Sequence, residues 1–237
     1  MSKKSKSSIL PDYAMMLTGN KRIKIFAGEF GSGKTELALN YAINLQESGV
    51  NTAIVDMDLV KPYFRTRESQ QLLEEYGVFI ATPEQRLAHS DLPIMPLGLT
   101  QVLYNSNYHV IIDVGGGESA IVLGQIHQQL ADNGYEAFMV VNTCRPFTST
   151  AKDIIDAIRR IENVARLKIT GLISNTNLAQ ETSVHHIQEG LAIVKIVGAQ
   201  LGLPVSWVIA PEWLADKLDV DIPLFLLKRY TRYPWME

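Results

Sequence analysis

The sequence is poor in cysteine, in net charge and in long apolar stretches. Cys144 is the single cysteine among 237 residues, so the chain can form no internal disulfide and no zinc site made only of its own cysteines. The net charge of -3 provides no overall field for nucleic acid or an anionic membrane. The longest apolar region, residues 190–210, is interrupted by Lys195 and Pro204, which favours a buried helix and strand over a membrane span.

The composition indicates one large domain. With 46% hydrophobic and 20% charged residues, the chain can bury a full core. We expect a single domain over residues 21–237, preceded by a flexible, basic N-terminal tail at residues 1–20. Because one lone cysteine suits a reducing compartment, we also expect a cytoplasmic location.

Apolar runs rich in valine and isoleucine alternate with helical patterns along most of the chain. Strands are predicted at residues 23–27, 52–56, 78–81, 108–114, 137–142, 169–175 and 205–210. Helices are predicted near residues 36–48, 97–104, 119–131, 149–165 and 182–201. This alternation predicts an α/β fold with a doubly wound, mostly parallel sheet and helices on both faces.

Residues 28–35 read GEFGSGKT and lie between the first predicted strand and the first predicted helix. This setting is typical of a phosphate-binding loop (P-loop, or Walker A motif), whose backbone N–H groups surround a phosphate chain. Lys34 is expected to hold the β- and γ-phosphates and Thr35 to bind Mg²⁺. The nucleotide contacts predicted in this segment are Gly28, Glu29, Phe30, Gly31, Ser32, Gly33, Lys34, Thr35 and Glu36.

Carboxylates lie at the carboxyl ends of two of the predicted strands. Asp113 precedes a run of glycines, the arrangement of a Walker B aspartate with a mobile switch, and Gly116 and Gly117 are expected near the γ-phosphate. Asp56 and Asp58 are two positions apart and so face the same side. We expect Thr35, Asp56 and Asp113 at the metal, and Lys34, Asp58 and Asp113 in catalysis, with Asp58 orienting the attacking water. The alternative for Asp58 is a cap on the following turn.

These segments resemble the MinD/ParA class of P-loop ATPases (SIMIBI class), in the wider group that includes metal-insertion NTPases and dethiobiotin synthetase. The resemblance rests on the P-loop, the segments 56–58 and 113–117, and Asn175, and it covers about residues 22–211. It implies that Asn175 contacts the base, that Pro211 belongs to the same site, and that residues 61–67 form a first switch. Members with ATP-sandwiched dimers carry a lysine where this chain has Glu29, so that dimer is not the default expectation.

The base and the switch can also be considered from the residues themselves. A guanine site of the Asn-Lys-x-Asp kind needs a carboxylate three residues after its asparagine, whereas Asn175 is followed at that offset by Leu178. ATP is therefore favoured over GTP. Three cations in the predicted switch are candidates to bind the γ-phosphate or an acidic second substrate. They are Lys61, Arg65 and Arg67. The alternative for them is a solvated helix start.

The function that these features favour is a slow Mg-ATPase that acts as a nucleotide-dependent switch with a protein partner or as a homodimer. The main alternative is an ATP-dependent kinase or ligase acting on a small carboxylate or amine. A metal-delivery chaperone ranks lower because the chain has no cysteine or histidine cluster. A DNA-partitioning ATPase also ranks lower, since no basic stripe is evident and binding to nucleic acid is not expected.

Overall fold

Eight strands form one sheet in which every neighbouring pair is parallel. The computed structural model describes residues 17–57, 67–81, 98–115 and 119–230. The strands are β1 Ile23–Ala27, β2 Thr52–Asp56, β3 Phe79–Ala81, β4 His109–Val114, β5 Glu136–Val141, β6 Gly171–Ser174, β7 Val205–Pro211 and β8 Leu224–Leu227. Their order across the sheet is β3-β2-β4-β1-β5-β6-β7-β8. The predicted α/β fold with a parallel sheet is confirmed.

Seven α-helices lie within the described residues. They are α1 Lys34–Glu47, α2 Arg67–Tyr76, α3 Leu99–Tyr104, α4 Ser119–Gln125, α5 His127–Asn133, α6 Ala151–Ala165 and α7 Val184–Leu201. Local sequence explains the longer ones. In α6, Ile154, Ile158 and Ile161 recur at helical spacing on the buried side. Thr150 begins α6 with a reciprocal capping box, in which its side chain accepts from the Asp153 backbone N–H.

The central strands are buried on both faces, and their residues sort alternately into two cores. Ile25 and Ile112 belong to a core that includes Ile154 of α6, and we call this side the α6 face. Phe26 and Ile111 belong to a second core that includes residues of α1, and we call this side the α1 face. The alternation explains why these strands are nearly continuous apolar runs, as expected in a parallel sheet covered by helices.

β8 was not predicted as a strand, because residues 221–237 are rich in aromatic and basic side chains. Leu224–Leu227 nevertheless pairs in parallel with β7. Phe225 is fully buried on the α1 face, with its ring centroid 6.2 Å from that of Tyr41 and 6.2 Å from that of Trp207. The burial of this aromatic ring accounts for the extra strand.

Leu17 lies within residues 1–20, the segment predicted as an N-terminal tail. Leu17 is fully buried in the core of the α1 face, and its carbonyl accepts a hydrogen bond from the Tyr41 hydroxyl. Leu17 therefore belongs to the packed domain. Among the described residues, no helix combines the length and the apolar character that crossing a membrane requires.

Candidate functional site

The loop between β1 and α1 is held in a shape that requires glycine. Gly31 and Gly33 have φ angles of 79° and 81°, a region that side chains with a Cβ rarely enter. A Cβ on Gly33 would lie 2.4 Å from Asn175 Nδ2, and one on Gly28 would lie 2.6 Å from the Val140 carbonyl oxygen. Residues from β5 and from the end of β6 thus lie so close to the loop that only glycine fits at these two positions. This close packing suits a Walker A backbone that wraps phosphate.

Sheet order brings Asp113 to the loop. β4 lies beside β1, and Asp113 is the register partner of Phe26, two residues before Gly28. Thr35 Oγ1 donates a hydrogen bond to Asp113 Oδ2 at 2.7 Å. The first turn of α1 and the end of β4 are therefore joined by the two side chains that the sequence predicts at a magnesium ion. Lys34, the first residue of α1, is 5% exposed.

A second carboxylate lies on the next strand. Asp56 ends β2 as the register partner of Asp113, and the Met57 N–H donates to the Asp113 carbonyl at 2.9 Å. By the alternation of the strands, both aspartates share the α1 face with Ile54 and Ile111. They are 2% and 1% exposed. Two buried carboxylates of the same charge on neighbouring strands favour a nearby cation.

These groups fit Mg²⁺ by their chemistry. The ion prefers oxygen ligands and keeps several of its waters, so one hydroxyl and two carboxylates suffice from the protein. No cluster of three or more histidine, cysteine, aspartate or glutamate side chains is arranged as a metal site within the described ranges.

On the other side of β1, asparagines at the ends of β5 and β6 hold the loop. Asn175 Nδ2 donates to the Ser32 carbonyl at 2.7 Å, and Asn142 Nδ2 donates to the Gly31 carbonyl at 3.3 Å. Asn142 also ties the two strand ends together, because its Oδ1 accepts from the Asn177 N–H at 3.2 Å. One N–H of the Asn175 amide is thus engaged with the loop, which leaves its second N–H and its oxygen for the predicted contact with a base.

Arg145 lies against the loop from the segment after β5, a contact that the sequence does not signal. Its Nε donates to the Gly31 carbonyl at 3.2 Å, and a Cβ on Gly31 would lie 2.9 Å from that nitrogen. The neighbouring Cys144 is half-buried, and burial raises the pKa of its thiol although the Arg145 charge acts in the opposite direction. Cys144 is accordingly a protonated, packed side chain at neutral pH.

Glu29, the second residue of the loop, forms an ion pair with a residue of α6. Its Oε1 lies 2.6 Å from Nη2 of Arg160 on α6. The Arg160 side chain is 52% exposed, so the pair contributes little to stability. It does neutralise the carboxylate that would otherwise repel phosphate beside the loop.

The segment after β8 lies along the first turns of α1. Tyr230 N–H donates to Glu36 Oε1 at 2.6 Å. Asn40 exchanges two hydrogen bonds with Lys228, each 2.8 Å long. Glu36, predicted among the nucleotide contacts, is thus also a partner of the C-terminal segment. Pro211 ends β7, the neighbour of β8 in the sheet.

Several predicted site residues cannot be placed. Asp58, Lys61, Arg65, Gly116 and Gly117 lie outside the described residues. Arg67 begins α2, and nothing is described of its side chain. Phe30, in the middle of the loop, is 69% exposed.

Comparison with known proteins shows a structural likeness without a sequence match. No protein-family model and no curated protein sequence matches the chain. Chloroplast FtsY from Physcomitrella patens is similar with a TM-score of 0.52 at 16% identity, over 82% of this chain and 64% of that one. The signal recognition particle receptor FtsY from Elizabethkingia anophelis is similar with a TM-score of 0.50 at 16% identity, over 85% and 67% of the two chains.

A structure of the Elizabethkingia anophelis protein in complex with GDP is similar at 15% identity, with a TM-score of 0.50, over 81% of this chain and 57% of that one. This chain therefore spans less than two thirds of some of these neighbours. The likeness shows that this chain shares the α/β fold of these neighbours. Membership of the SIMIBI class stays a prediction. The narrower resemblance to MinD and ParA stays a prediction.

Proposed function

We propose that this protein binds Mg-ATP, hydrolyses it slowly and uses the two nucleotide states as a switch for a protein partner. The observation that carries the proposal is the 2.7 Å hydrogen bond from Thr35 Oγ1 to Asp113 Oδ2. In P-loop nucleoside triphosphatases, a loop threonine and a strand-end aspartate hold Mg²⁺ beside the β- and γ-phosphates. The buried pair Asp56 and Asp113 adds negative charge where that cation is needed.

Each residue has a defined task in this proposal. The loop N–H groups and Lys34 bind the phosphates and stabilise the charge that develops on them during cleavage. Thr35 and Asp113 orient the metal ligands, directly or through water. Asp58 orients the attacking water. When bound, Mg²⁺ supplies charge neutralisation at the phosphates.

The choice of ATP rests on the segment after β6. Leu178 stands where a guanine site would need a carboxylate, and a leucine cannot accept the two N–H bonds of guanine. The GDP bound to an FtsY protein of similar fold makes GTP the competing nucleotide. The kinase or ligase alternative depends on Arg65 and Arg67 to hold the acceptor. Arg65 lies outside the described residues, nothing is described of the Arg67 side chain, and no described contact favours this alternative.

The test is phosphate release from Mg-ATP and Mg-GTP by the purified protein and by Thr35 variants. We expect slow release with a preference for ATP, a loss of at least about tenfold in Thr35→Ala, and retention in Thr35→Ser, which keeps the hydroxyl. Phosphate release at the wild-type rate in both Thr35→Ala and Thr35→Ser would remove Thr35 from the site. It is also the result that a contaminating ATPase would give. ADP formed without free phosphate, and only with added carboxylates or amines, would favour the kinase alternative.

A further inference from the structure

The two sides of β1 carry different chemistry at the loop. Thr35, Asp113 and Asp56 all lie on the side of β4 and β2. The opposite side, at the ends of β5 and β6, presents amides and one guanidinium instead. Ligands of such sheets lie across the carboxyl ends of the strands, where the strand order reverses about β1. With the metal and phosphates toward β4, the nucleoside must extend toward β5 and β6.

Three amide nitrogens on that side each donate at least one hydrogen bond within the protein. Asn142 and Asn175 donate to loop carbonyls, and Asn177 Nδ2 donates to the Asn175 carbonyl at 2.7 Å. They hold the loop in shape, and those N–H groups are not available to a base.

Arg145 is differently placed. Its alkyl chain lies across Gly31, where an added Cβ would meet Cδ at 3.2 Å and Cγ at 3.6 Å. Nε is fixed by the Gly31 carbonyl at 3.2 Å. Among the described residues, none accepts a hydrogen bond from the two terminal nitrogens of this side chain. A guanidinium anchored at one edge keeps its planar face and its remaining N–H groups available.

We infer that Arg145 binds the nucleoside of the nucleotide, with its guanidinium against the ribose and base. The inference rests on the proposed function, since it requires a nucleotide in the P-loop. A planar cation is attracted to an aromatic ring face, and the contact does not depend on which base is present. Arg145 therefore contributes affinity for nucleotides in general, while the absence of a carboxylate at Leu178 disfavours guanine.

The experiment compares Mg-ATP, Mg-ADP and Mg-tripolyphosphate by calorimetry in the wild type and in Arg145→Gln. Tripolyphosphate occupies the P-loop but has no nucleoside. We expect about tenfold weaker binding of both nucleotides, on the scale of a guanidinium contact with an aromatic ring, and unchanged binding of tripolyphosphate. Arg145→Lys should show most of the same loss, because lysine keeps the charge but has no planar group.

Exposed Arg159 on α6 offers the control, since Arg159→Gln removes the same charge without touching the loop. Weaker binding of tripolyphosphate to Arg145→Gln would show a role in the phosphates or in loop shape and would overturn the inference. Full affinity in Arg145→Lys or in Arg145→Gln would overturn it too. If the wild type binds tripolyphosphate and nucleotides with equal affinity, the nucleoside adds nothing to binding. The inference about Arg145 is then overturned, whereas the proposed function stands. If the wild type binds none of them, the proposed function falls as well.

Discussion

Charged side chains are buried at both ends of the central strands on the α1 face. At one end they have opposite signs, and at the other end they have the same sign. At the amino end, Lys24 of β1 is 1% exposed and forms an ion pair with Glu136 of β5. At the carboxyl end, Asp56 and Asp113 are register partners with the same sign of charge. The first arrangement balances its own charge, whereas the second needs a cation from outside or from the loop. The comparison separates an ion pair that stabilises the fold from two carboxylates that are proposed to bind a metal ion.

Arg22 extends the balanced arrangement at the amino end. Its guanidinium donates to the carbonyls of Val102 and Tyr108 at 3.3 Å each, and to Asn133 Oδ1 at 2.6 Å. It also donates to the Leu103 carbonyl. Burial lowers the pKa of Arg22 and of Lys24, yet both remain cations at neutral pH because their ordinary values are far higher.

Removing a cation at the carboxyl end should weaken nucleotide binding, whereas removing one at the amino end should lower the stability of the fold. The effect at the carboxyl end should be the larger. Lys34→Ala should weaken ATP binding by about a hundredfold, or about 3 kcal/mol, because the phosphates lose their side-chain cation. Its free energy of unfolding without nucleotide reports separately on the contacts that this buried side chain makes within the protein. Calorimetry and urea unfolding measure the two quantities, and undiminished ATP affinity would falsify the P-loop assignment.

Lys24→Met should lower the stability of the fold and leave nucleotide binding nearly unchanged. The change leaves Glu136 without its cation and should lower the free energy of unfolding by about 2 kcal/mol, below the cost for a fully buried pair because the Glu136 side chain is 24% exposed. Nucleotide affinity should stay within about twofold. Urea unfolding of Lys24→Met and of the double variant with Glu136→Gln checks the cause, since the second change should restore part of the loss. A large loss of ATP affinity would show that the two ends are coupled.

Asp113→Asn sharpens the comparison at the metal. It removes one of two like charges and the carboxylate that accepts from Thr35. The increase in ATP affinity that Mg²⁺ produces should fall by about tenfold, while binding of ATP without metal should not weaken. Titrations of ATP with Mg²⁺ and with EDTA measure this difference. The same metal effect in wild type and variant would remove Asp113 from the metal site.

The smallest effect concerns His109, at the amino end of β4. Its pKa is lowered by burial and then by the charges of Lys24 and Arg22, so the folded state disfavours the protonated ring. The unfolded chain therefore takes up the proton first as the pH falls below about 6.5. The free energy of unfolding should decrease from pH 7 to pH 5. A difference of one full proton would change it by about 1.4 kcal/mol per pH unit, and we expect a slope well below that. His109→Gln should flatten this slope in urea unfolding, and an equal slope would mean that another group titrates.

Sequence periodicity was sufficient for most of the central sheet. β1 and β2 have their predicted bounds, because each is a mostly apolar run that ends at a turn or an aspartate. The predicted helix at 119–131 is instead two helices that meet at Ile126, where the φ of -111° departs from helical geometry. Periodicity alone cannot detect such a break, since apolar spacing continues across it.

The site was predictable only where it is local. The P-loop carries its own signature, and Asp113 follows an apolar strand, so both could be read from the chain. Arg145 could not, because its contact with Gly31 joins residues 114 positions apart. The same holds for β8, whose position depends on how Phe225 packs with Tyr41 and Trp207 rather than on its own pattern.

The contacts between α1 and the segment after β8 have a consequence for folding kinetics. The hydrogen bonds of Asn40 with Lys228 and of Glu36 with Tyr230 span 188 and 194 positions of sequence. Contacts of such high order form late, because the entropy of closing a long loop is lost before they are made. We therefore expect the helix that follows the P-loop to acquire these tertiary partners late in the folding reaction. We expect an early folding intermediate to contain α1 without its final attachment, with amide exchange at its first turns slowing only in the last phase.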